Sequence, residues 1–311
     1  MNAREFALEK KHGLGNKVVS MDKAISMISD GDTVALGGTV ITRDPVAAIW
    51  QIIKSGKVGL KVVRTMMSFE AEFLATSGAA NKLITSWVAI AGPLGISRKI
   101  SSMTASGKIE FEEWSHMGIL LRFLAGSMGV PFLPTYTMLG SDLVKGLNVK
   151  QIESPFDGEK VLLVPAINPD VSIIHVQRAD QNGNAQILGM PIQDREIALS
   201  AKKVIITAEE IVSEDYIRQH PSETTIPHFA VDAVVEAPFG AYPTECQGFY
   251  EADIGYLSTI ASADRAEGGI EKMIDEIIYK KESFMDFLNT IKPETLIRLG
   301  MTMRLLTNGD T

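Results

Sequence analysis

The stretch Asp30-Gly31-Asp32-Thr33-Val34-Ala35-Leu36-Gly37-Gly38, with Arg43-Asp44-Pro45 five residues further on, decides the fold class of this chain. Thr33 to Leu36 is short, apolar and partly β-branched, which is how a strand buried on both faces reads. It runs directly into two glycines, where the chain can turn tightly or bring its backbone close to a ligand. A helix is then expected with Asp44 as N-cap and Pro45 at its first position, since Pro lacks the N–H that position leaves unused. Its apolar face comes from Val46, Ile49, Ile52 and Ile53. Strand, glycine loop, helix is the repeating unit of a parallel α/β protein.

The same alternation extends in both directions. Upstream, Ser20 caps a short helix to Ile28 and Gly31 turns the chain into the strand. Downstream, Leu60 to Val63 reads as strand, Glu70 to Thr76 as helix, and Leu83 to Ala91 as a further strand ending at Gly92-Pro93. Ser115 caps a helix with the stripe Ile119, Leu120, Phe123 and Leu124; Gly129 stops it, and Pro131 and Pro134 keep it from resuming. Val161 to Val164 and Val171 to Val176 are strands, and Asn182-Gly183 suits a hairpin turn. Helix Asp194 to Ala201, strand Val204 to Thr207 and strand Val231 to Val235 follow. Gly269 to Leu288 is an amphipathic helical segment carrying Ile270, Met273, Ile274, Ile277 and Ile278. With no linker, repeat or low-complexity tract, residues 1–311 read as one α/β domain. It has an open, mostly parallel sheet with flanking helices, an N-terminal extension over 1–19 and a helical C-terminal tail over 256–311.

Composition narrows the function. A net charge of -8 on 311 residues argues against a nucleic-acid partner, which needs clustered Lys and Arg to displace phosphate counterions. The single cysteine, Cys246, can form no internal disulfide, and with five scattered histidines it shows no ligand spacing for a structural metal. A reducing cytoplasm is the expected compartment. Met1 to Lys17 has no apolar core of a secretory signal, and no apolar run reaches the ~20 residues a membrane span requires.

In a parallel α/β sheet, ligands bind beyond the carboxyl ends of the strands, so the loops after Leu36, Ala91 and Met138 are the places to look. Gly37-Gly38 either brings backbone against an anion at the start of the next helix or simply makes a tight turn. Arg43 can clasp a carboxylate by two parallel hydrogen bonds, or stand as an ordinary surface cation. Gly140-Ser141 is a second small pair at which the backbone can approach a ligand, or a plain turn. In Glu112-Glu113 and Glu209-Glu210, neighbouring strand residues point to opposite faces, so at most one of each pair can enter a pocket. His116, at a helix start, has no nucleophile at a diagnostic spacing. No Gly-x-Ser-x-Gly elbow, phosphate-binding Gly-Lys-Ser/Thr loop or His-Glu-x-x-His helix is present.

Taken in order, these segments resemble a family. Asp30 to Gly38 with Arg43 and Pro45, then Gly129-Val130-Pro131-Phe132-Leu133-Pro134 with Gly140-Ser141, is similar to the A-type subunits of class I coenzyme A transferases, the glutaconate type above all. Ser154-Pro155-Phe156, Val164-Pro165 to His175, Asp232-Ala233-Val234-Val235, Ala237-Pro238 and Gly240-Ala241 continue the match over roughly residues 20–255. The resemblance implies an open α/β fold shared by both halves of the enzyme and a B-type partner in a heterodimer or heterotetramer. It also implies an active site at their interface, with no permanently bound cofactor and coenzyme A as substrate. CoA would pass between an acyl-CoA and a small dicarboxylic or 3-oxo acid through anhydride and thioester intermediates on a glutamate of the partner. In this chain Gly37, Gly38 and Thr39 would supply oxyanion-binding N–H groups, Arg43 a carboxylate clamp, and Gly140 and Ser141 a neighbouring wall. No glutamate stands in the family's nucleophile setting; Gln181-Asn182-Gly183 reads as a hairpin. Thr39 replaces an aromatic residue of the glutaconate type, so the acyl group accepted can differ. Relatives on this scaffold include a CoA-ester hydrolase and a decarboxylase; the hydrolase has a glutamate where this chain has His116. A non-catalytic interaction subunit is the remaining alternative.

Overall fold

The computed structural model describes residues 13–90 and 94–308. The expected strand end at Ala91 and the Gly92-Pro93 loop lie outside the described residues, as does most of the segment read for a signal sequence.

The strands are β1 (Thr33–Leu36), β2 (Leu60–Val63), β3 (Ala80–Thr85), β4 (Glu110–Glu113), β5 (Phe132–Thr135) and β6 (Lys150–Glu153). They continue with β7 (Lys160–Pro165), β8 (Val171–Asp180), β9 (Ala185–Gln186), β10 (Lys203–Val212), β11 (Thr224–Ile226) and β12 (Ala233–Glu236). Seven of them pair in parallel in the order β12-β10-β8-β1-β2-β3-β4. The order climbs in sequence from β1 to β4 on one side and from β8 to β12 on the other, so the sheet reverses between β1 and β8. That crevice is where an open α/β sheet offers a ligand site. The short strands β9 and β11 attach antiparallel beyond β8, and β5, β7 and β6 form a separate antiparallel sheet.

The period-2 alternation of β1 divides the core. Val34 and Leu36 enter one hydrophobic layer with Ile49, Ile53, Leu60, Phe69 and Leu257, whereas Ala35 enters the other with Ile119, Phe123, Ile174 and Val204. Each fully buried Ile or Leu contributes about 1.5–3 kcal/mol, which is why a four-residue strand holds its place at the centre. A third cluster around Tyr242, Cys246, Tyr250, Phe287 and Leu299 seats the C-terminal tail.

Several expectations held. Helix His116–Met128 begins at the Ser115 cap and ends at Gly129, which sits left-handed at φ 69°. The turn through Gly183, at φ 96°, joins β8 to β9. Others need correction. The helix after the glycine loop starts at Val46 with Pro45 as its cap residue and without a side-chain cap bond. Asp44 is drawn away because its buried carboxylate pairs with Arg64. β3 stops at Thr85 rather than Ala91; beyond it Val88 and Ala89 make only isolated bridges to Met67 and Ile96. β8 and β10 run to ten residues each, because they pair with one another along nearly their whole length. The Gly269 to Leu288 segment is broken into Gly269–Ile274, a π-helical turn Asp275–Tyr279 and Phe284–Leu288, with Ile270, Ile274 and Ile278 buried as the periodicity requires.

Candidate functional site

At the end of β1, Gly37 N–H donates to the Ile173 carbonyl (2.9 Å), pinning the loop to β8. Both glycines are sterically required. A Cβ on Gly37 would lie 2.5 Å from Asp194 Oδ1 and 2.9 Å from Ile174. On Gly38, at φ +67°, it would lie 2.3 Å from the Thr42 carbonyl. The chain then folds into a tight turn in which Thr39 N–H donates to the Thr42 carbonyl (2.9 Å) and Thr42 N–H to that of Thr39 (2.8 Å). Val40 and Arg43 occupy left-handed backbone at φ 48° and 54°, a costly conformation for residues with a Cβ.

The Gly38 and Thr39 N–H groups expected to receive an oxyanion are thus already used. Gly38 N–H donates to Asp194 Oδ1 (2.8 Å) and Thr39 N–H to Thr42. Arg43, expected to meet a substrate carboxylate, meets Asp194 instead: its Nη2 lies 2.7 Å from Asp194 Oδ2, and the guanidinium also donates to the carbonyls of Met190 (2.9 Å) and His175 (3.2 Å). The residue is fully buried. A guanidinium in a dry interior has to be paired, and Asp194, at the start of its own helix, is placed to do it. The loop is therefore a rigid wall built on an internal ion pair.

A second buried pair stands behind it. Arg64, just past β2, bonds Asp44 and also donates to Glu70 Oε1 (2.6 Å). Burial pushes the Asp44 carboxyl well up, with Arg64 opposing and Glu70 adding to the rise. Arg64 itself stays cationic, burial opposing and the two carboxylates prevailing.

Over the ends of β2 and β3 lies a strip of neutral polar groups that the sequence did not single out. The Thr65 hydroxyl donates to Gln193 Oε1, and the Thr65 carbonyl accepts from Ser86 N–H, from the Ser86 hydroxyl and from Thr85 Oγ1 (3.1 Å). Further along the edge, Trp87 Nε1–H points at His116 Nε2 (3.2 Å), His116 being exposed on the first turn of its helix. Gly140 and Ser141 follow β5, a strand of the separate antiparallel sheet. They form an exposed turn, Ser141 N–H donating to the Met138 carbonyl (3.0 Å), and the next residue, Asp142, lines a cavity of about 360 Å³ with Glu112 and Glu113 at the end of β4. Three strand spacings separate β4 from β1, roughly 14 Å at the usual interstrand distance.

On the other side of the crevice, Glu209 is buried and Glu210 exposed, as strand alternation demands. Glu210 pairs with Arg178 (3.1 Å), while Glu209 joins His175 Nε2 (2.7 Å), Tyr250 Oη (2.5 Å) and Phe239 N–H (2.7 Å). Burial, and next the Glu209 carboxylate, push the Tyr250 hydroxyl and the Cys246 thiol up. His175, Glu209 and Cys246 have their ligand-type atoms within 4.8 Å of one another, the one such cluster among the described residues. Thr207 takes the other ring nitrogen of His175 (2.9 Å), so the group works as a hydrogen-bonded brace that holds Pro238 to Gly240 against β8. A cavity of about 560 Å³ opens beside it under helix Pro293–Asn308, lined by Pro238, Phe239, Phe249, Leu296 and Ile297.

A sheet that reverses between β1 and β8, with a glycine loop at that crevice, agrees with what comparison with known proteins finds. The sequence pattern of the coenzyme A transferase family matches residues 18–237, and the chain belongs to that family. Within it the chain is of the A type. The A-type half of glutaconate CoA-transferase from Acidaminococcus fermentans is 32% identical over 302 residues, 91% of this chain and 94% of that one. The crystal structure of that organism's glutaconate coenzyme A-transferase superposes with a TM-score of 0.87 over 91% of this chain and 95% of its own. The A-type half of 3-oxoadipate CoA-transferase from Pseudomonas knackmussii is 35% identical over 264 residues, 84% of this chain and 92% of that one. A protein of Archaeoglobus fulgidus with no assigned role is 35% identical over 291 residues, 93% of this chain but 65% of its own length, so this chain spans about two thirds of that relative.

Proposed function

We propose that this chain is the A-type half of a heteromeric CoA-transferase, moving CoA between an acyl-CoA and a small dicarboxylic or 3-oxo acid, with the nucleophilic glutamate on a B-type partner. The observation that carries the reading is the state of the acids at the crevice. Of the carboxylates beside the glycine loop and the ends of β1 and β2, Asp194, Asp44 and Glu70 are each tied to a buried arginine, and Glu245 accepts the Thr42 hydroxyl (2.7 Å). None of the three is available to attack a thioester, which requires an unpaired carboxylate facing the substrate. A wall of turns and neutral donors is what one half of an interfacial site contributes. Its cofactor is the substrate itself, coenzyme A, and its setting the cytoplasm. Among the described residues no helix is long and apolar enough to cross a membrane.

The test is co-expression with a B-type partner subunit, incubation with an acyl-CoA, and trapping with hydroxylamine or borohydride. A glutamyl adduct on the partner and none on this chain is the expected result. An adduct on this chain, or CoA transfer by this chain alone, overturns the assignment.

A further inference from the structure

We propose that Gln193 reads the acid substrate: its side-chain amide donates to an oxygen function remote from the reacting carboxylate, with the Thr39 hydroxyl as a second donor. The inference rests on the transferase reading and adds to it the groups that select among acids.

Gln193 is 2% exposed, and its carboxamide is held by one end only. The Thr65 hydroxyl donates to Oε1, while Nε2 has no hydrogen-bond partner among the described residues. The Thr39 hydroxyl is likewise closed off and unpartnered. A buried donor left unpaired is costly, and folded proteins keep few of them. Here two fall on residues flanking a single hydrogen bond: Gln193 precedes Asp194, Thr39 follows Gly38, and Asp194 Oδ1 accepts the Gly38 N–H at 2.8 Å. That bond lies at the carboxyl ends of β1 and β2, beside the crevice where the sheet order reverses.

The terminal nitrogens of the cations nearby are engaged. Arg43 is committed to Asp194 and two carbonyls, Arg64 to Asp44 and Glu70. The donors left without a partner beside the crevice are Arg64 Nε, the Gln193 amide and the Thr39 hydroxyl, and of these the last two flank the Gly38–Asp194 bond. Thr65 is the positioning residue: its hydroxyl decides which end of the Gln193 amide is left over, and its own backbone is fixed by Thr85 and Ser86. Thr39 lies on the turn that carries left-handed Val40 and Arg43.

A site built to bond an oxygen rejects the analogue that lacks it, because its own donors stay unpaired. Five-carbon acids make the test: glutarate and 3-oxopentanoate against pentanoate, titrated calorimetrically into the complex of this chain with its B-type partner. The wild-type complex is expected to bind at least one oxygenated acid about tenfold or more tighter than pentanoate. Gln193→Leu is expected to bring the three within about threefold, and Thr65→Val to give an intermediate loss, since it frees the amide to rotate. Gln193→Glu, close to isosteric, covers the case in which the leucine variant fails to fold; a carboxylate there should weaken glutarate selectively and leave pentanoate unchanged. Equal wild-type affinities for all three acids, or variants that keep the preference, overturn the role of Gln193. Absence of CoA transfer by a complex that does discriminate overturns the transferase reading alone.

Discussion

At the scale of single residues, the decisive positions are those where a Cβ or a charge has nowhere to go. Gly38→Ala places a methyl 2.3 Å from the Thr42 carbonyl in a left-handed conformation, so the turn must open. The conformation alone costs about 1–2 kcal/mol for an L-residue and the collision adds to it. A drop in the urea midpoint corresponding to at least ~2 kcal/mol is expected, and an unchanged midpoint would show that the loop relaxes freely. Glu72 offers a pH signature. It is buried on helix Phe69–Thr76, and burial, with Asp264 and Glu70 adding and Ser97 opposing, raises its carboxyl to about 8. A carboxyl whose folded pKa lies above its unfolded value binds its proton more tightly when folded. Its stabilising effect is complete below the unfolded value and is lost as pH rises toward about 8. Glu72→Gln removes that slope, so the variant's stability relative to wild type should rise between about pH 5 and pH 8, on the order of a few kcal/mol in total. Parallel stability curves for the two proteins across that range would refute the assignment. The identities of these residues were readable in the sequence, but not their roles. Arg43 reads as a carboxylate clamp until the fold puts Asp194, 151 positions away in the chain, against it.

At the scale of elements, the β1 loop, the turn Thr39–Arg43 and the start of helix Asp194–Ser200 form one unit joined by the Arg43–Asp194 pair. Removing one partner leaves a buried, uncompensated charge. Asp194→Ala should therefore cost about 3–5 kcal/mol, while the double variant Arg43→Met with Asp194→Ala should cost less than the sum of the two singles. Chemical denaturation of the four proteins of that cycle measures the coupling, and strict additivity would show that the pair contributes nothing. Elements with strong local signals were legible beforehand: β1 and β2, the Ser115-capped helix stopped by Gly129, and the turn at Gly183. Those defined by pairing alone were not. β4 reads in sequence as an acidic tetrapeptide, Glu110–Glu113, and becomes a strand because Lys82 on β3 bridges Glu110 and Glu112 at 2.7 Å each. β10 outgrows its apolar core because β8 lies alongside it for its whole length.

At the scale of the molecule, the proposed reading makes this chain one wall of a site whose nucleophile comes from a partner. The purified chain alone should show no CoA transfer between any acyl-CoA and acid, and activity should appear on titration with the B-type partner, saturating at equimolar ratio. Turnover by the chain alone in a coupled assay would contradict this. The parallel α/β architecture was determined by the sequence itself, because a buried strand, a glycine turn and an amphipathic helix leave short-range patterns in composition and period. The ordered set of motifs from residue 18 to 237 is specific enough to name the family. Which side chains face the crevice was decided only by the tertiary structure. Burying Arg43 and Arg64 obliges each to find a carboxylate wherever the fold brings one, and the Gly38 and Thr39 N–H groups find acceptors within the chain in the same way. Gly140 and Ser141, read in the sequence as a second wall beside Gly37 and Gly38, form an exposed turn after β5 that leads into Asp142 on the cavity at the end of β4; which elements stand together is set by long-range packing of the two core layers and not by proximity in the chain.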